Sequence, residues 1–244
     1  MQALSQILKE ISNQPPGASL VVFDLDSTLF DLAIRVTAIL DQYARAPGNK
    51  ARFPLECEAL KRIEIRKGDW GLTEPLERLG ISASSHPEFV SDIQEAWAKG
   101  FFSNSFLQHD LPLPGAVQFV KDVMSAGADV VYLTGRDIPR MGSGTRQSLI
   151  ETGFPLNDGS ARMVLKPSAD MEDAAFKVDE IVTYRTKYQQ IWLFENEPVN
   201  INAVSKRCPE VKMVFVDTCH SGLEEVHDSI SKIPHFEIAL TEFE

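Results

Sequence analysis

The sequence predicts an α/β protein: a Rossmann-like parallel sheet flanked by helices, with an all-helical segment inserted after the first strand. Three observations carry this reading. Leu20 to Phe23 form an unbroken apolar run that stops abruptly at Asp24, the pattern of a strand buried on both faces. Between residues 112 and 218, short apolar runs alternate with amphipathic stretches, the order expected of strand–helix–strand crossovers. Between Asp31 and Leu111 the apolar spacing is helical, and no good strand candidate is found. The expected division is a core of residues 1–31 and 112–244 and a helical lid of residues 32–111.

The elements follow in order. Leu4, Ile7, Leu8 and Ile11 have helical spacing and predict an amphipathic helix before the first strand. The polar residues and two prolines of the same stretch exclude a signal peptide or a membrane span. Lid helices are expected over 32–45, 54–66, 72–79 and 87–99, with breaks at Pro47-Gly48 and Gly68-Asp69. A helix over 115–126 ends at Gly127, which suits a helix stop. Further strands are expected at 129–133, 162–165, 191–194 and 211–216, making five in all. Helices are expected at 143–152, 177–188 and 199–207.

A hydrophobic content of 43% supports one sizeable core, or a core and a smaller insert. The net charge of −11 argues against non-specific nucleic-acid binding, which needs a basic surface. Cys57, Cys208 and Cys219 have no metal-ligand spacing, and any disulfide would leave one over. A reducing cytoplasm is the natural setting.

Polar residues gather where the strands end, and the carboxyl ends of parallel strands share one edge. The first strand ends in Asp24, Asp26, Ser27 and Thr28, and the second in Thr134, Gly135 and Arg136. The third ends in Lys166 and the fourth in Glu195, Asn196 and Glu197. Neighbouring carboxylates are not both ionised cheaply unless something positive neutralises them, and Mg²⁺ does so through hard oxygen ligands. A lone Asp-x-Asp would more often be a solvated turn; the ordered downstream groups reverse that preference.

Taken together, Asp24-Leu-Asp26-Ser-Thr28, Val-Tyr-Leu-Thr134-Gly-Arg, a lysine before the fourth strand and the acidic group after it resemble the haloacid dehalogenase (HAD) superfamily of aspartate-nucleophile hydrolases. The resemblance covers roughly residues 18–31 and 112–218. It implies that Asp24 is the nucleophile and that Asp26 handles the proton of the leaving oxygen and then of water. It also implies that the Asp26 backbone carbonyl joins a Mg²⁺ shell with Asp24, Glu195 and Glu197. Thr134, Gly135 and Arg136 are the expected substrate contacts at the second strand. Lys177 is the favoured catalytic lysine, and Lys166 the rival or a substrate contact. Most members carry aspartates where this chain has Glu195 and Glu197, and Asn196 and Asn200 are expected to orient them.

The resemblance implies a phosphatase acting on a small phosphorylated compound under a lid that excludes water. The competing readings are a catalytically weak binding or scaffold protein and a phosphotransferase. Of the remaining candidates, Asp31 and Thr145 read as helix caps, and Arg140 and His220 as weaker site residues. Trp70, Trp97, Phe101 and Phe102 read first as lid core and second as substrate contacts.

Overall fold

The computed structural model describes residues 2–156 and 161–238. Parts of the expected core segments (Met1, 157–160 and 239–244) therefore lie outside the described residues. The chain opens with helix α1 (Gln2–Ser12) and strand β1 (Ser19–Phe23), followed by the short strand β2 (Phe30–Asp31). Helices α2 (Ala33–Arg45), α3 (Pro47–Arg52), α4 (Pro54–Leu60), α5 (Thr73–Arg78) and α6 (Pro87–Phe101) and a 3₁₀ turn (Asn104–His109) form the insert. The return passes through β3 (Leu111–Pro112), α7 (Ala116–Ser125), β4 (Asp129–Asp137), α8 (Ile138–Glu151) and β5 (Ala161–Lys166). It ends with α9 (Asp173–Tyr184), β6 (Gln190–Glu195), α10 (Pro198–Arg207), β7 (Lys212–Val216) and β8 (Ser231–Ile233).

Six strands form a parallel sheet in the order β5-β4-β1-β6-β7-β8. The period-2 alternation of side chains divides its apolar residues between two faces. Val21, Phe23, Val130, Tyr132, Trp192 and Phe194 pack with α1 and α7. Leu20, Val22, Val131, Leu133, Ile191 and Leu193 pack on the other face with α9 and α10. Phe23 stacks on Phe194 at 4.8 Å, and Phe119 meets Phe194 edge-on at 5.4 Å. The insert has a hydrophobic cluster of its own, built on Leu40, Phe89 and Ile93. None of the described helices is long and apolar enough to cross a membrane.

Several boundaries differ from expectation for identifiable reasons. Strand β4 runs on to Asp137 through a register shift after Thr134. Helix α8 starts at Ile138 rather than 143, because Asp137 caps it by accepting from the Arg140 N–H and Pro139 fits its first turn. Glu172 caps α9, so that helix starts at Asp173 and carries Lys177 inside it instead of at its opening. Pro47-Gly48, expected as a break, opens the short helix α3, since proline suits a first helical turn. Helix α4 stops at Leu60, short of the expected 66. The sixth strand, β8, has three residues and too little periodicity to register in the sequence.

Gly115 adopts φ +76°, and a Cβ there would lie 2.5 Å from the Phe236 carbonyl carbon. Gly80 has a similar φ of +78° with nothing within 4 Å of the same position. Gly80→Ala should cost about 1 kcal/mol, the left-handed penalty alone. Gly115→Ala should cost about 3 kcal/mol, because backbone must also move. Urea unfolding of the two variants measures the difference.

Candidate active site

The sheet register brings the polar strand ends together. Phe23 pairs with Tyr132 on one side and with Phe194 on the other. The next residue, Asp24, therefore enters the same edge as Glu195, with Thr134 at the end of the neighbouring strand. The Asp24 N–H donates to the Phe194 carbonyl at 3.0 Å, so the ladder continues into the site. The chain then turns sharply. The Leu25 carbonyl accepts from the N–H groups of Thr28, Leu29 and Phe30, and Ser27 takes a left-handed φ of 58°. Thr28 Oγ1 donates to Asn196 Oδ1 at 3.0 Å, which ties this turn to the loop after β6.

Lys177 lies at the centre. Its Nζ is 2.7 Å from Asp24 Oδ1 and 2.6 Å from Glu195 Oε2, and all three side chains are buried. The other Glu195 oxygen accepts from the N–H groups of Asn196 and Glu197. Burial and the charge of Glu195 push the Asp24 carboxyl up to about 7 despite the opposing pull of Lys177. Flanked by two carboxylates, the Lys177 ammonium is held above its ordinary range although burial opposes this.

Asp26 points elsewhere. Arg136 Nη2 approaches its Oδ1 at 2.5 Å, and Arg35 Nη2 approaches the same oxygen at 2.7 Å. Asp110 completes a quartet, 2.7 Å from Arg136 Nη2 and 3.1 Å from Arg35 Nε. Burial raises the Asp26 carboxyl, but the two guanidinium groups outweigh it and hold the carboxyl below its usual range. Asp26 is thus an ionised carboxylate in this arrangement, the form that accepts a proton.

The quartet joins four parts of the chain, since Asp26 comes from the turn after β1, Arg35 from α2, Asp110 from the end of the insert and Arg136 from β4. Neither Arg35 nor Asp110 stood out in the sequence. Asp110 lies directly before the proline-rich return, and Arg35 sits among apolar residues on α2; a lone charge in such a setting is the only signal available.

The other expected residues fall into two groups. Thr134 and Gly135 line the cavity, and a Cβ on Gly135 would run into the Asp173 carboxylate. Arg136 also lines it, but its guanidinium is occupied by Asp26, Asp110 and Thr145. Lys166 instead donates to Asp173 Oδ1 at 2.5 Å and to the Met171 carbonyl at 2.9 Å, so Lys177 is the lysine placed against Asp24. Glu197 serves as the cap of α10, and its carboxylate takes the N–H and hydroxyl of Ser221.

Thr145 is not a cap: it lies buried within α8, 3.3 Å from Arg136 Nη1. The Asp31 carboxylate accepts from the Ala33 N–H at the start of α2, close to the expected capping role. Arg140 pairs with Asp137, and His220 stacks edge-on against Phe215 at 5.6 Å.

The cavity holds about 640 Å³ between the sheet edge and the insert. Asp24, Thr134, Lys177 and Glu195 line its floor, while Val36, Trp70, Trp97, Phe101 and Phe102 face them from the insert.

No protein-family model and no curated protein sequence matches the chain. Solved structures do match. Protein tyrosine kinase A of Mycobacterium tuberculosis is similar at a TM-score of 0.54 and 14% identity, over 90% of this chain and 94% of that one. A candidate phosphatase of Clostridium difficile follows at 0.51 and 11%, over 84% and 86%. A haloacid dehalogenase-like hydrolase of Streptococcus pneumoniae gives 0.48 and 10%, over 80% and 83%. At TM-scores of 0.54 and 0.51, the first two share the α/β fold of this chain. At these identities the likeness is one of fold, and the chemistry of the chain is argued from its own residues.

The donor set suits a hard cation only in part. Among the described residues, no three acidic, histidine or cysteine side chains converge as a cage. Four acidic residues were expected as ligands. The Asp26 carboxylate is held by arginines and the Glu197 carboxylate by Ser221, which leaves the carboxylates of Asp24 and Glu195. Those two share one lysine, and burial, with the charge of Glu195 second, pushes the Asp24 carboxyl up; a cation beside it would favour the ionised form.

The quartet yields a stability test. Arg136→Met would leave Asp26 and Asp110 with Arg35 alone, and should destabilise the fold by about 3–5 kcal/mol, the usual cost of breaking a buried pair. The double variant Arg136→Met/Asp110→Leu should recover part of that loss, because it also removes a buried charge. Denaturant titration of the double-mutant cycle measures both.

Proposed function

We propose that the protein is a phosphatase that hydrolyses a small phosphate monoester through an aspartyl-phosphate on Asp24. The observation that carries this reading is a buried carboxylate on the floor of a cavity, 2.7 Å from a buried ammonium and on the same strand edge as Thr134. A solvated turn aspartate would need neither the burial nor the lysine.

Asp24 Oδ would attack phosphorus as the ester P–O bond breaks, and the phosphoryl group would pass to the carboxylate. Thr134 Oγ1 and the N–H groups of the adjoining turns would receive the phosphoryl oxygens. Lys177 would lower the charge repulsion between the nucleophile and an incoming dianion, and hold Asp24 in line. Asp26, ionised at rest, would take up a proton from solvent as the anionic substrate binds, give it to the leaving alcohol oxygen as the P–O bond breaks, and then take one from the water that attacks phosphorus and releases Asp24.

Asp24, Glu195 and the backbone carbonyl of Asp26 are the groups that would hold a divalent cation such as Mg²⁺. Bound there, the cation would offset phosphoryl charge. The helical insert would act as the lid, keeping bulk water from the phosphoryl enzyme.

One observation favours a second reading, a binding protein that has lost turnover. Both Glu195 oxygens already have partners, in Lys177 and in two backbone N–H groups. Assay of p-nitrophenyl phosphate with and without Mg²⁺ separates the two. The phosphatase reading expects turnover that stops with a chelator and returns with Mg²⁺. It also expects Asp24→Asn to lose roughly 10³-fold or more in kcat, as loss of a nucleophile does, with its thermal unfolding midpoint kept. Full activity in Asp24→Asn would remove the nucleophile assignment, and no turnover under any metal would favour the binding protein.

A further inference from the structure

Resting on the phosphatase reading of the same site, we propose that the substrate is a phosphate monoester whose alcohol carries a planar aromatic group, received against the insert's wall of the cavity. The volume comes first. About 640 Å³ lies within the range of pockets that enclose drug-sized ligands, roughly 300–1,000 Å³, and far exceeds the needs of a phosphoryl group on a two- or three-carbon stem.

The chemistry of the wall comes second. The residues that the insert contributes to the cavity are apolar, apart from Arg66, Lys67 and Asp69. None of them is Ser, Thr, Asn, Gln, Tyr or His. The Asp69 carboxylate is already taken by Arg78 and by the Arg66 N–H. A sugar phosphate would have its hydroxyls enclosed with few partners on this side, which disfavours polyols. An aromatic ring asks for no such partners and gains from aromatic neighbours.

The third observation is that two of the aromatic residues are not needed by the insert's own core. Trp97 and Phe101 pack partly against that core. Trp70 and Phe102 do not belong to it, and they remain 53% and 39% exposed while lining the cavity. Trp70 sits in the loop between α4 and α5. That loop is brought to the core by the Cys219 thiol, which donates to the Asp69 carbonyl at 2.9 Å, and by Lys67, 3.5 Å from Asp217. The indole is thus held at the cavity wall, with Arg66 and Lys67 beside it, each also paired with a carboxylate, Glu64 and Asp217.

The test uses pairs with matched leaving groups, so that intrinsic reactivity cancels. Adenosine 5′-monophosphate is compared with ribose 5-phosphate, and 2-phenylethyl phosphate with n-butyl phosphate. At least one aromatic member should exceed its partner tenfold or more in kcat/KM, and the pair that does so tells a nucleobase from a carbocyclic ring. Trp70→Ala should bring that ratio to within about threefold of unity, mainly through KM, and Phe102→Ala should lower it too. Ratios within twofold in both pairs for the unaltered protein, or ratios unmoved by either variant, would overturn the proposal.

Binding is read separately from turnover. Tryptophan fluorescence of the unaltered protein should respond to phenylphosphonate at concentrations at least tenfold below those needed for methylphosphonate, and Trp70→Phe should lose most of the signal. That response in a protein with no turnover would retain the aromatic site and dismiss the phosphatase. Turnover without the response or the preference would do the reverse.

Discussion

One buried ammonium makes the rest of the site possible. Two carboxylates at the end of adjacent central strands repel one another in a region from which water has been removed, and the fold would resist placing them there. Lys177 satisfies both at once, from a helix on the face of the sheet opposite α7. Its position inside α9, and not at the helix start, is what gives it the reach: Glu172 and the first turn lie closer to β5, where Lys166 is spent on Asp173. The parallel sheet supplies the gathering of strand ends, and the lysine supplies the positive charge that offsets their repulsion.

A second set of charges does a different task a few ångströms away. Arg35, Arg136, Asp26 and Asp110 form a compensated quartet in which the side chains of Arg35, Arg136 and Asp110 are almost wholly buried. Such a cluster adds little net stability over apolar packing, but losing any one member is costly. It therefore acts as a register device between α2, the return from the insert and β4. Phe101 adds to it by lying 4.2 Å beneath the Arg35 guanidinium.

The sheet and the site floor were legible in the sequence because both follow from local pattern. An apolar run ending in polar residues marks a buried parallel strand and its site edge, and parallel strands must share that edge. Asp24, Thr134 and Glu195 are brought together by this rule, while Lys177, inside α9, is expected only from the family resemblance. What escaped notice depended on partners distant in sequence. Arg35 and Asp110 gain meaning only from each other, from Asp26 and from Arg136, and nothing in their neighbours announces those partners. Glu197 reads as a further ligand behind Glu195, yet a one-residue step past Asn196 turns it into the cap of α10. Thr145 looked like a helix opening because the strong capping signal of Asp137 lay before two residues, Ile138 and Pro139, that read as a loop.

The two-residue ribbon of β2 and β3 has a wider meaning than its size suggests. Phe30 pairs with Pro112 and Asp31 with Leu111, so the chain leaves for the insert and comes back from it side by side. Eighty residues can be spliced between neighbouring points without altering any strand order in the larger sheet. A site seated on the sheet edge can thus take a different cover, with a different choice of ligand, while the groups beneath it keep their places.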